Sequence, residues 1–303
     1  MNKILKITAL LLIFSTVAMA QSDSTDADGN PVYTGKQRGF HIGMIVGAYF
    51  ANQSTANLYD GYGFDFDGNR NSFENSYMYN KIVMEYGGGY GQPDKIADAL
   101  GVQHGEWTFN ESDMPANMRY QPAFLFGLQC RYSVDPRNAI LLNVNAVQLT
   151  SNGNFTITTT PPTGSTQVNN AIKTFAIKGM EQRLIFQLAY QRILGDITKK
   201  ANFFVEGGMN ITMSKFYKNQ IQINGLTIDL TTYYYYPGYN AYYVRKPIGT
   251  GFGAYAGLGV NLNANPKFRV QFVYTPTYEN IKLTSNSRLR LQNSVGLRFY
   301  YNL

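Results

Sequence analysis

Arg288–Leu303, RLRLQNSVGLRFYYNL, is the stretch whose reading decides the fold. Leu289, Leu291, Val295, Leu297, Phe299, Tyr301 and Leu303 share one parity, interrupted only by Asn293. Arg290, Gln292, Ser294, Gly296, Arg298, Tyr300 and Asn302 share the other. Successive side chains of a strand point to opposite faces, so this is a strand with one apolar and one polar face. It runs to the last residue and closes in a cluster of aromatics.

The other end of the chain sets the compartment. Lys3 and Lys6 precede an apolar run, Ile7 to Val17, and then Ala18-Met19-Ala20. That order is an export signal with a small-x-small cleavage site. The expected division is a signal peptide over 1–20, a periplasmic N-terminal segment over 21–38 starting at Gln21, and one domain over 39–303. No cysteine follows the apolar run, where a lipid anchor would need one. Losing Lys3 and Lys6 leaves 24 basic residues against 19 acids, a net of about +5. The excess forms no run, so nucleic acid is not an expected partner.

No apolar run beyond the signal reaches the 18 or more residues of a membrane helix. A membrane strand needs only about ten residues of alternation, which averages away in hydropathy. The 24 Tyr, 19 Phe and 29 Gly against one Trp suit an aromatic-girdled β-structure. Cys130 is the single cysteine, so an intramolecular disulfide is excluded.

Seven further segments alternate like the last. They start near Gly39, Arg119, Ala139, Met180, Asn202, Thr250 and Phe268. Phe40, Ile42, Met44 and Val46 oppose His41, Gly43 and Ile45; Tyr120, Phe124, Phe126, Leu128 and Cys130 oppose Arg119, Gln129 and Arg131. The connections alternate in length. Asp135-Pro136-Arg137-Asn138, Gly195 to Ala201 and Ala264-Asn265-Pro266-Lys267 are short. The others, about 52–118, 151–179 and 215–249 with a lesser one near 279–287, are longer. The expected fold is therefore all-β: an antiparallel up-and-down transmembrane β-barrel of eight strands with long extracellular loops. A hairpin of Tyr77–Tyr86 with Val102–Asn110 inside the first loop would raise the count to ten. An even count places both termini in the periplasm.

With these segments in view, the chain resembles the small outer-membrane barrels of the OmpA/OmpX type. Within them it is similar to the Bacteroidota barrels called porin-family or PorT-like. The resemblance covers about 39–303 and rests on the alternation, the terminal strand and Gln21. It implies a Gram-negative outer membrane, lipid around the barrel, and assembly by the outer-membrane insertion machinery, which reads a strand such as Val295 to Leu303. It implies no catalytic residues. Two departures stand out: Leu303 replaces the usual terminal Phe, and the first loop is long.

An eight-stranded barrel is just wide enough for side chains to fill it. Counting from the short turns puts Glu206, Arg131, Arg269 and Arg298 on the inner face of the periplasmic half. Arg119, Glu181, Arg183 and Arg290 fall nearer the outer rim. One Glu facing several Arg reads as a salt-bridged plug, with a small anion site as the alternative. In the loops, Gln220 to Leu230 carries Asn224-Gly225 between alternating arms, a hairpin signal. The fifth and sixth strands are thus expected to project as a ribbon bearing Tyr233, Tyr234, Tyr235, Tyr236 and Tyr239 as a contact surface.

Remaining motifs say less. Gly87-Gly88-Gly89-Tyr90-Gly91 lacks the Lys-Ser/Thr of a nucleotide loop and reads as tightly turned backbone. Pro93 to Leu100 reads as one short helix tucked into the barrel mouth. Asp65, Asp67 and Asn69 have calcium-turn spacing but lack the other ligands of a full loop, so no metal and no cofactor are expected. Only His41 and His104 are available for acid–base work, and neither carries a serine nucleophile motif. The expectation is a non-enzymatic barrel acting through its loops or wall. The alternatives are an accessory subunit of a larger secretion or transport complex, with protein partners in the membrane, and a narrow small-solute pore.

Overall fold

The computed structural model describes residues 39–65, 68–161, 170–197, 201–234, 242–244, 248–263, 268–283 and 288–302. The expected export signal over 1–20, the segment over 21–38 and Leu303 lie outside them. Among the described residues, eight long strands close a ring. They are β1 (Gly39–Phe50), β2 (Ala123–Ser133), β3 (Asn138–Thr159), β4 (Ala171–Leu194), β5 (Ala201–Ile223), β6 (Ile248–Asn263), β7 (Phe268–Lys282) and β8 (Arg290–Asn302). Each pairs antiparallel with its neighbours, and β8 returns to pair with β1 from His41↔Asn302 to Phe50↔Asn293. Leu297 lies opposite Val46 and Phe299 opposite Met44. The register follows from the stagger that strand tilt imposes on a closed barrel.

Closure leaves no sheet edge within the ring, and the alternation then decides what lipid touches. Outward side chains include Phe126, Leu142, Leu188, Phe252, Phe272 and Leu297, all exposed, with Phe203 at 69% and Met209 at 72%. Such a belt of bare apolar area is untenable in water. In a bilayer it is the surface required, while the inward Gln129, Asn143, Gln187, Gln191 and Gln271 are buried. The protein is a transmembrane β-barrel. Cys130 follows the outward parity and is half-buried.

Three strands overshoot the membrane. β3, β4 and β5 have 22, 24 and 23 residues, whereas a tilted strand crosses hydrocarbon in about ten. The segments 151–159, 171–179 and 215–223, expected as loop, continue the ladder: Thr159 pairs with Ala171, and Ala176 with Gln222. Apolar and polar residues change sides along the way. Below Ser151, β3 shows Ile140 and Leu142 outward and hides Asn143 and Asn145; above it Asn154 is exposed while Phe155 and Ile157 are buried. β4 does the same, with Leu184 and Leu188 outward below and Thr174 and Lys178 outward above Phe175 and Ile177. The exchange marks where hydrocarbon ends. A register shift at Met180/Glu181 falls at this level.

The projecting ribbon is thus made of β3, β4 and β5, while β6 starts only opposite Lys215. The expected hairpin turn is present at Asn224, whose φ of 50 is the left-handed backbone a tight turn needs, and Gly225. Its return arm, Leu226–Asp229, covers the free edge of β5. The opposite free edge, on β3, is covered by the first loop. Trp107–Thr108 pairs with Thr159 and Thr158, and Arg119–Tyr120 with Asn152 and Ser151. Covered edges are protected from pairing with other chains.

The first loop folds into a cap. Ala56, Tyr59, Met78, Ile82, Ile96, Leu100 and Met118 are buried against Leu149, Phe155, Ile157, Ile177, Phe216 and Ile221 of the tall wall. The expected 77–86/102–110 hairpin does not form, so the ring stays at eight. Ser76 accepts from the Tyr79 N–H and starts a helical turn that continues as a π-turn over Asn80–Glu85. Met78 and Ile82, four apart, then face the wall together, a helical spacing that prevails over local alternation. The short helix Lys95–Leu100 follows, capped by Asp94 through the Ala97 N–H. Gly88 and Gly91 adopt left-handed φ values of 87 and 71 around a single 3-10 turn.

A charge placed outward separates the two regions of one strand. Leu188→Arg, mid-belt, is expected to lose about 2–4 kcal/mol of stability, and Thr174→Arg, above the belt, close to nothing. Equilibrium urea unfolding in lipid vesicles measures both.

Candidate functional site

The inner face holds two buried polar networks, one at each end. At the long-loop end Arg183 and Glu181 lie two apart on β4 and therefore share the inner face. Arg183 Nε donates to Glu181 Oε1 at 2.6 Å, and both side chains are fully buried. Arg183 Nη1 reaches the Tyr49 hydroxyl at 3.2 Å and Nη2 reaches Thr55 Oγ1 at 3.0 Å. Ser214 (2.5 Å), Tyr59 (3.5 Å) and Tyr120 donate to Glu181. Tyr49 donates at 3.3 Å to Glu279, which also accepts from Asn210 and Thr212 at 2.6 Å each.

This network joins barrel and cap. Thr55, Tyr59 and Tyr120 come from the first loop, and the rest from β1, β4, β5 and β7. Tyr59 stacks on Phe216 with centroids 4.4 Å apart. Its seat is Gly179, where a Cβ would come within 2.3 Å of the ring. Further fixings are Asn52 N–H to Gln292 at 2.6 Å, Lys173 to the Leu100 carbonyl at 2.9 Å and Asn224 to the Ala99 carbonyl at 2.6 Å. The lumen is closed from this end by side chains and by the cap.

At the short-turn end Arg298 holds Glu206 with two bonds of 2.6 Å, a bidentate pair. Gln191 donates to Glu206 at 3.0 Å, and Tyr300 donates to Gln271 at 2.9 Å. Space for the carboxylate is left by Gly257, where a Cβ would meet Glu206 Cγ at 2.4 Å. Arg131 Nε donates to Ser133 Oγ at 3.3 Å, and its guanidinium lies 5.7 Å from the Tyr300 ring. Arg269 is buried on the same face. The four residues singled out from sequence share this end, yet Glu206 takes one guanidinium in bidentate contact and not several.

Other sequence candidates separate. Arg119 is exposed, because Pro122 lacks an N–H and breaks the strand, so that Tyr120 points inward in its place. Arg290 is exposed at the rim. Glu279, Tyr49 and Tyr59, missed in the sequence reading, complete the upper network. Alternation past Pro276 through Thr277, Glu279 and Ile281 was the available signal for Glu279. Asp65 accepts from the Asn69 N–H at 2.8 Å and the Asn69 side chain at 3.2 Å, closing its own turn; Asp67 lies outside the described residues. No cluster of three or more metal-ligating side chains occurs among the described residues. Thr232–Tyr234 pairs with Tyr242–Val244, Tyr233 opposite Tyr243 and Tyr234 opposite Tyr242. Tyr235, Tyr236 and Tyr239 lie outside the described residues.

The histidines sit in different settings. His41 Nε2 is 3.2 Å from Ser133 Oγ, both buried inside the lumen. His104 is on the cap surface, its Nδ1 2.8 Å from Asp94 Oδ2, which also accepts from the Trp107 indole at 2.9 Å. Burial pushes the Asp94 carboxyl up, but the Ala97 N–H, Trp107 and His104 together outweigh it and hold it below its ordinary value. Asp60 behaves oppositely: burial raises its carboxyl despite the Tyr62 N–H and Arg70.

Comparison with solved structures finds barrels of the same kind. Neisserial surface protein A covers 87% of this chain and 96% of its own at 5% identity and a TM-score of 0.37. OprG from Pseudomonas aeruginosa covers 88% and 97% at 9% identity and 0.39. Ail of Yersinia pestis covers 87% and 98% at 9% and 0.31. At these TM-scores the likeness carries no argument, and the eight-stranded barrel rests on its own strand pairing. No family model matches the chain, and comparison with curated proteins finds no match.

Two measurements check the site. Arg183→Ala strands a buried Glu181 charge and is expected to cost about 3–5 kcal/mol, whereas Glu181→Gln with Arg183→Met costs clearly less, by urea unfolding. Because the folded Asp94 carboxyl is depressed, its contribution is full above the unfolded value of about 3.9 and is lost as pH falls through the lower folded one. Emission from Trp107, the single tryptophan, should step below about pH 3.9, and Asp94→Asn should abolish the step.

Proposed function

We propose that this protein is a non-enzymatic outer-membrane barrel whose working surface is the folded cap and the tall wall of β3, β4 and β5 that carries it. In this reading the short-turn end and both termini face the periplasm, and the cap faces outside. The observation that carries it is the exchange of apolar and polar sides along these strands. It raises a packed, water-facing structure over the membrane, with a hydrophobic core spanning the loop and three strands. A solute pathway needs an open lumen, whereas here Arg183, Glu181, Gln191 and Arg298 fill it and the cap closes its mouth. A rigid surface suits binding, since little conformational freedom is lost on contact. Outward Phe124, Leu184, Met213 and Ile248 with Gln148, Gln182 and Lys215 form a groove of about 630 Å³ on the outer wall, consistent with lipid as the surrounding partner.

Planar-bilayer recording of the purified protein is expected to show no large stable open state; such a state would establish the pore reading. Removing 53–118 should then abolish surface binding while leaving a folded, heat-modifiable barrel. Gentle detergent extraction adds the last distinction: stoichiometric large membrane partners would make the protein a subunit of a secretion or transport complex.

A further inference from the structure

We propose that the outer wall, at the level where the apolar belt gives way to the tall sheet, binds one phosphate-bearing lipid of the cap-side leaflet. Two outward rows of β3, β4 and β5 meet there. Ala146, Leu184 and Met213 lie side by side in the lower row. Gln148, Gln182 and Lys215 form the upper row, which Ile248 continues on β6. Phe124 and Ile248, both exposed, bound the groove of about 630 Å³, and Ala146 is the smallest outward side chain lining it. Apolar side chains below and carboxamides above repeat the order of acyl chain and ester in a lipid.

Positive charge stands just above the groove. Lys215 and Lys218 differ in parity, so a regular strand would send them to opposite faces. The register shift at Met180/Glu181 inserts one residue, and Lys215 then pairs with Gln182 while Lys218 pairs with Met180. Gln182 and Met180 are successive outward positions of β4, which sets both lysines on the outward face with backbones about 7 Å apart. Lys178, the next outward residue of β4, is exposed and lies diagonal to Lys218. Glu181 and Glu206 are the only carboxylates in β3, β4 and β5, and both are buried on the inner face. Asp229, on the return arm opposite Gln220, turns its carboxylate to the Thr231 N–H and hydroxyl at 2.8 and 2.7 Å. Among the described residues, none of the three lysines forms an ion pair. Like charges set this close repel one another, and a lipid phosphate at the edge of the belt supplies the counter-charge. Lysine stems run along apolar surface while their ammonium groups reach the headgroup. The site depends on the belt and the bulge, not on what the cap meets.

The test is native mass spectrometry of the full barrel in neutral detergent, titrated with dioleoylphosphatidic acid or dioleoylphosphatidylcholine. One phosphatidic acid should be retained in preference to phosphatidylcholine. Lys215→Gln with Lys218→Gln should weaken that retention about tenfold or more, and Lys215→Arg with Lys218→Arg should keep it. Ala146→Phe, which fills the groove from an exposed position, should weaken it with the lysines intact. Arg192→Gln, outward at the short-turn end, should leave it unchanged. Equal retention of the two lipids, or retention undiminished in both the double Gln variant and Ala146→Phe, would overturn the site. Inorganic phosphate displacing the lipid at equal concentration would overturn it too, since the groove would then contribute nothing.

Discussion

The ladder between β1 and β8 is the constraint on which everything else depends. In hydrocarbon an unpaired backbone group costs several kcal/mol, so a sheet survives there only without edges. Once the ring shuts at eight strands, its interior is no wider than side chains. Inward polar residues are then trapped beside one another and must satisfy each other. Arg183 with Glu181 and Arg298 with Glu206 follow from that enclosure. Their two-sided contacts in turn hold β4, β5 and β8 at fixed separation.

The same closure explains where the cap sits. β3, β4 and β5 outlast their neighbours, so above the bilayer they are an open sheet with two edges and two faces in water. Their former lumen face becomes apolar, and the first loop supplies the matching layer through Tyr59, Met78, Ile82 and Ile96. Its short strand pairs cover the edge that β2 leaves behind. Glu181 lies at the junction, accepting from both cap and barrel. Barrel and cap are therefore mechanically one body, with a preformed surface above the membrane belt.

Much of the ring was legible because its signal is local. Alternation in Gly39–Phe50 and Arg290–Asn302 needs no distant information, and Asp135-Pro136-Arg137-Asn138 announces a turn by its own chemistry. The overshoot of β3, β4 and β5 was not legible. Where a strand leaves lipid the apolar parity flips, and Phe155, Ile157, Phe175 and Ile177 break a one-phase pattern while the ladder between β3 and β4 continues. Tyr120 and Arg119 were exchanged for a similar reason, since Pro122 resets the parity within two residues. The lower charge cluster was readable from depth counts, but its pairing was not: which Arg takes Glu206 depends on the stagger between β5 and β8 and on the space left by Gly257.

The sequence by itself determined that the chain alternates, that its turns fall in short and long sets, and which residues share a face. Those properties belong to neighbouring residues, and the period of a strand expresses them directly. Only the tertiary structure decided that the first loop is a packed cap, that Glu279 and Tyr49 belong with Arg183, and that Arg298 takes Glu206 at the far end. Such contacts join residues far apart in the chain, and tilt, stagger and enclosure select them after the ring has closed.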